Sequence, residues 1–113
     1  MTEIPRRALP AVASLLLPSL AAAQAPGRLT LLLDWFVNPD HAPIIVAEEA
    51  GIFRAAGLEV RIVAPADPND PPRLVAARQA DIGVYYQKNL HLAVDQGLPL
   101  IRVGTLVGTP LST

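Results

Sequence analysis

Cysteine is missing from the 113-residue chain, which removes disulfides, thiolate metal ligands and cysteine nucleophiles from consideration. Neither charge sign prevails: nine Lys and Arg stand against ten Asp and Glu, a net charge of -1. Without a basic excess there is no electrostatic footprint for a polyanion, and no nucleic-acid partner is expected. Long apolar runs are lacking too. The best one, Ala8 to Leu17, is shorter than the ~20 residues a bilayer span needs, and Pro10 and Pro18 interrupt it. Aromatic residues are few, one Trp, two Tyr and two Phe, so the position of each carries weight.

What is present begins with a leader. Arg6 and Arg7 precede the apolar run, and "PSLAAAQA" then supplies the small residues a signal peptidase accepts. Cleavage after Ala23 fits the pattern Ala21-x-Ala23, whereas a cut after Ala25 would set Pro26 beside the scissile bond. Residues 1–23 are therefore expected to be a secretory signal, with 24–113 as the mature segment outside the cytoplasm.

Two periods alternate through the mature segment. Leu29 to Leu33 is a continuous apolar run of the kind a strand buried on both faces shows, and Ala42 to Ala50 reads as a helix closed by Gly51. A second strand, Val60 to Ala64, follows Gly57 and leads into the turn-rich "PADPNDPP", where Asp70 is expected to cap a helix running from Pro71 to Ala80. Ile82 to Tyr85 forms a third strand, Lys88 to Gln96 a third helix ended by Gly97, and Leu100 to Leu106 a fourth strand. Strands alternating with helices of this length predict an α/β fold with an open, mostly parallel sheet flanked by helices.

In such sheets ligands sit outside the carboxyl ends of the strands, where loops lead into the following helices. Asp34 to His41 is one such loop. Tyr85 and Tyr86 end the third strand, Pro65 to Asp67 follow the second, and Thr105 to Thr109 follow the fourth. The same rim thus gathers Asp34, Trp35, Asn38, His41, Tyr85 and Tyr86. An indole can stack on a planar ring, but it can equally plug a sheet edge as core. Asp34 can accept from an amine or merely cap its loop. His41 reads either as a donor or as an exposed helix-start residue. Successive strand residues face opposite ways, so only one of Tyr85 and Tyr86 is expected to face the rim. His91 and Asp95, four apart, read as a solvent-facing ion pair, and Arg73, Arg78, Arg102, Glu48 and Glu49 as surface charge.

The stretch "LLLDWFVNPDHAPIIVAEEAG" carries a D-W-x-x-N-x-x-H-x-P pattern and is followed in order by "GLEV", "PADPNDPP" and "ADIGV". Together these resemble the N-terminal part of the thiamine-pyrimidine family of periplasmic substrate-binding proteins of ABC importers, whose eukaryotic relatives are thiamine pyrimidine synthases. The match runs from about Leu29 to the last residue. The resemblance implies a two-lobed type II periplasmic binding protein fold, of which residues 24–113 would hold part of lobe one, without the second lobe or the returning segment. It also implies an aminopyrimidine ligand, a membrane permease as partner, a monomer in the periplasm, and capture by lobe closure that needs no cofactor or metal. Trp35 would stack on the ring, Asp34 accept from its exocyclic amine, Asn38 and His41 donate, and Tyr85 or Tyr86 wall the other side.

The synthase relatives build the pyrimidine from a histidine of their own chain and a lysine-held pyridoxal phosphate, with iron assisting. The lysine follows the D-x-G-x turn and the histidine comes four residues later, positions held here by Tyr85 and Asn89. Tyrosine forms no Schiff base and asparagine supplies no imidazole, so the resemblance implies a binding protein and not an enzyme. A sulfonate- or nitrate-type binding protein of the same architecture is the other alternative. The helix start near Asp40 to Pro43 suits an anion, while the Asp34–Trp35 pair suits a planar amine-bearing ring.

Overall fold

Among the described residues Leu31, Leu32 and Leu33 form the most deeply buried consecutive stretch, and the architecture is built outward from them. The computed structural model describes residues 25–109. The secretory leader expected at 1–23 lies outside these residues. In chain order the elements are β1 (Gly27–Leu32), a 3-10 turn (Pro39–His41), α1 (Ala42–Glu49), α2 (Ile52–Ala55), β2 (Leu58–Val63), α3 (Asp70–Ala76), β3 (Ile82–Gly83) and α4 (Gln87–Asp95). The fold is α/β, with a three-stranded parallel sheet in the order β2-β1-β3 and flanking helices, as the alternating periods predicted.

β1 is central because it alone is apolar enough to be covered on both faces. It pairs with all of β2, from Gly27 opposite Leu58 to Leu32 opposite Val63, and with β3 at Leu31–Ile82 and Leu32–Gly83. Burial rises along it from exposed Gly27 to buried Leu32, so the packed end is the carboxyl end. On one face Leu31, Leu33 and Ile44 form the core, with Leu29, Phe53, Val60, Ile62, Ile82 and Val84 packed against it. α3 closes on the β3 side of the sheet. There an added Cβ on Gly83 would lie 3.3 Å from both Pro71 Cβ and Val75 Cγ2, so the missing side chain is what lets helix and strand approach.

Pins at the strand starts set the register. Gly57, in the left-handed region at φ 76°, turns the chain out of α2, and its carbonyl accepts from the Gly27 N–H at 2.9 Å. On the other edge Asp81 acts twice: its Oδ2 accepts from the Thr30 N–H at 2.7 Å and its own N–H donates to the Thr30 carbonyl at 3.0 Å. The pairing of so short a strand as β3 thus begins with a side chain.

Several expectations are corrected. Leu100 to Leu106 is not a strand: it runs as coil, exposed from Ile101 onward, with Ile101 86% accessible. Apolar alternation makes a strand only where a partner edge exists, and β3 is hydrogen-bonded over just two residues on its β1 side. Gly51 ends α1 with φ 72°, but the chain re-enters a helical turn, α2, because Phe53 then reaches the core. Asp70 does not cap α3; it is the first helical residue, and its Oδ2 accepts from the Asp67 N–H at 3.2 Å. The loop is held instead by Asp67, whose Oδ1 accepts from the backbone N–H and the side-chain Nδ2 of Asn69. That helix stops at Ala76, with Arg78 at φ 58°, and not at Ala80. His91 and Asp95 make no ion pair with each other, whereas Arg73, Arg78 and Arg102 are exposed as expected.

The close approach at Gly83 has a measurable consequence. Gly83→Ala overpacks the α3 contact and should lower stability by roughly 1–3 kcal/mol, read from the midpoint of urea unfolding.

Candidate functional site

In the order β2-β1-β3 the chain runs from β1 to one side and then crosses back past it to β3, so the carboxyl ends of β1 and β3 lie side by side, where open α/β sheets carry their ligand crevices. The last backbone rungs there are Leu33 N–H to the Val63 carbonyl at 2.9 Å and Val84 N–H to the Leu32 carbonyl at 2.8 Å. Asp34 and Tyr85 follow at once, so both leave the sheet side by side.

A cleft of about 290 Å³ opens at this point, lined by Asp34, Trp35, Pro68, Asn69, Tyr85, Tyr86 and Asn89. Its size suits a single small ring better than a drug-sized molecule. Four of the six residues expected at the rim therefore share one cleft. Trp35 is 51% exposed and meets Phe36 edge-on, with ring centroids 5.5 Å apart and planes at 82°. It does not plug the core. Both tyrosines reach the cleft, contrary to the alternation expected of a strand, because β3 ends at Gly83 and they stand beyond it in coil.

Asn38 and His41 do not line the cleft; they build the turn behind it. Pro39–His41 is a 3-10 turn with Asn38 as its cap: Asn38 Oδ1 accepts from the Asp40 N–H at 2.9 Å, and Nδ2 donates to the Phe36 carbonyl at 3.0 Å. His41 is not an exposed helix-start residue but is 1% accessible. Its Nδ1 accepts from the Asn38 N–H at 3.3 Å, which leaves the ring proton on Nε2, and Nε2 lies 2.6 Å from Asp34 Oδ1. His41 thus takes the place Glu or Gln holds in a capping box.

Pro68, Asn69 and Asn89 are lining residues not singled out as ligand contacts from sequence. The signal for Asn69 was available, since it lies in the loop that follows β2 into the next helix, the class of segment that carries sites in such sheets. A second cleft of about 330 Å³ shares Asn69, Tyr85 and Asn89 with the first and runs on toward Arg73 and Gln96. Thr105 to Thr109 line neither cleft. Among the described residues no three His, Asp or Glu side chains gather as metal ligands.

The family described as NMT1/THI5 like matches residues 38–113. A putative thiamine biosynthesis protein of Haemophilus influenzae is 50% identical over 99 residues, 88% of this chain and 30% of that protein. A 4-amino-5-hydroxymethyl-2-methylpyrimidine phosphate synthase of Legionella pneumophila is 35% identical over 91 residues, covering 80% of this chain and 29% of that protein. A formylaminopyrimidine-binding protein of Halalkalibacterium halodurans is 36% identical over 89 residues, covering 79% of this chain and 27% of that protein. The chain spans less than a third of the length of each of these relatives.

The turn behind the cleft can be tested directly. Asn38→Ala removes the cap and should cost about 1 kcal/mol in thermal unfolding, with a shifted Trp35 emission in the absence of any ligand.

Proposed function

The chain belongs to the NMT1/THI5-like family, and on that premise we propose that it forms part of a solute-binding protein that captures a thiamine-precursor aminopyrimidine outside the inner membrane and hands it to an ABC permease. The observation that carries this reading is the half-exposed indole of Trp35 on the same small cleft as Asp34, Tyr85 and Tyr86. A planar heteroaromatic ring stacked on the indole gains about 0.5–1.5 kcal/mol beyond its buried area. Asp34 accepts from the exocyclic amine, and the tyrosines bound the opposite side. The 36% identity to a formylaminopyrimidine-binding protein supports this ligand class.

Capture proceeds by closure. The ligand docks on the open rim, a second lobe folds over it, and the ligand shifts the population toward the closed form because it binds that form better. The protein acts as a monomer in the periplasm, with residues 1–23 as the export signal.

A synthase reading draws on the Legionella relative. The resemblance places the pyridoxal-phosphate lysine and the sacrificed histidine at positions held here by Tyr85 and Asn89, and both side chains line the cleft. Neither can do that chemistry, and Lys88 lines neither cleft. The residues present do not fit the cofactor. Binding without catalysis is therefore the function proposed.

Two measurements check the proposal. Titration with 4-amino-5-hydroxymethyl-2-methylpyrimidine should quench the single-tryptophan fluorescence saturably, while taurine leaves it unchanged; quenching by taurine alone would favour the sulfonate reading, and a visible aldimine absorbance with pyridoxal phosphate would revive the synthase. Terminal sequencing of the exported protein should give Gln24 as its first residue, and retention of Met1 in the cytoplasm would overturn the assigned location.

A further inference from the structure

His41 is the one buried polar side chain among the described residues, and both of its ring nitrogens are engaged. A buried imidazole fixed by two different partners can neither turn over nor exchange its tautomer without losing one of them. One partner is the backbone N–H of Asn38, which is part of the turn. The other is Asp34, the carboxylate that lines the cleft. Burial of the ring alone would explain neither the 2.6 Å contact nor its direction toward a cleft residue.

We infer that His41 is a positioning residue that sets the selectivity of the cleft: by holding Asp34 through Oδ1 it presents Oδ2 as a fixed acceptor, so the site takes an amino-substituted pyrimidine and rejects the oxo counterpart. The inference rests on the pyrimidine-capture reading above and adds the residue that tells ligands apart. The terminal torsion of an aspartate is broad, so without a partner the carboxylate can rotate and recede. The Nε2–H···Oδ1 bond removes that freedom, and Oδ2 is left without a partner among the described residues. An exocyclic amine satisfies it. An oxo group in the same place sets acceptor against acceptor and leaves the carboxylate unpaired in a half-buried position, the arrangement by which sites discriminate most strongly. Asp34 is thus the contact and His41 acts through it.

The test uses the full chain and two probes, 4-amino-2-methylpyrimidine and its 4-oxo counterpart, each titrated against Trp35 fluorescence. Wild type should prefer the amino compound by about tenfold or more, the range of a hydrogen bond to a charged group. His41→Leu keeps the apolar bulk but removes both bonds; the preference should collapse toward unity while affinity for the oxo compound, which depends on stacking, changes by less than about threefold. His41→Gln should restore the preference, because a Gln in this place can accept the Asn38 N–H and still offer an amide N–H to Asp34. Equal losses for both probes in His41→Leu would reduce His41 to a packing role and sink the inference, as would an unchanged preference. If wild type binds both probes alike, the selectivity claim falls and pyrimidine capture stands; if it binds neither, both fall. A ligand-free measurement holds whether or not His41→Leu folds. Two-bond imidazole 1H–15N spectra of the wild type should show the proton on Nε2, and Asp34→Ala should move that resonance while Nδ1 stays unprotonated. A ring protonated on Nδ1 would overturn the arrangement.

Discussion

Hydrogen bonding on both edges of β1 governs where Asp34, Trp35, Tyr85 and Tyr86 leave the sheet to line the cleft. Because Leu31 and Leu32 are paired with β2 on one side and β3 on the other, a slip of one residue would turn the buried leucines to the wrong faces on both edges at once. That double constraint fixes Leu33 as the last residue to make a rung, and so fixes Asp34 and Trp35 as the first to leave the sheet. The pairing with β3 does the same for Tyr85 and Tyr86. Two loops that are 51 residues apart at Asp34 and Tyr85 become neighbours because the strands behind them are.

The cleft is accordingly a product of short-range chemistry placed by long-range pairing. Asn38, Pro39 and Asp40 make a tight turn by local bonds alone, and that turn swings His41 back under Asp34. Asp67 and Asn69 organise the opposing loop in the same local manner. Each turn is self-contained. What brings them to one opening is the β2-β1-β3 order, with α3 admitted close to the sheet by the absence of a side chain on Gly83.

Much of this was legible in the residues. The apolar run at β1, the punctuation by glycine and proline, and the D-W-x-x-N-x-x-H-x-P pattern pointed to a parallel α/β unit with an aromatic and an acid at a strand tip. The misreadings share a cause. Leu100 to Leu106 has the apolar content of a strand but pairs with neither outer edge of the sheet, and a strand is defined by its partner. Strand alternation does not apply to Tyr85 and Tyr86, since β3 ends at Gly83. The residue type of His41 suggests a rim donor or an exposed helix start, whereas its neighbours turn it inward; nothing in its own spacing reveals that a carboxylate seven residues earlier lies 2.6 Å away.

From its residues alone the protein's class, the order of most of its elements and the identity of its rim aromatics followed, because hydrophobic period and turn chemistry are local properties that a chain carries wherever it folds. Tertiary structure decided which of those residues share a cleft, which merely brace it, and that the last expected strand does not form. Those outcomes depend on pairing and burial between segments far apart in the chain, and distance in space is not written in any single stretch of it.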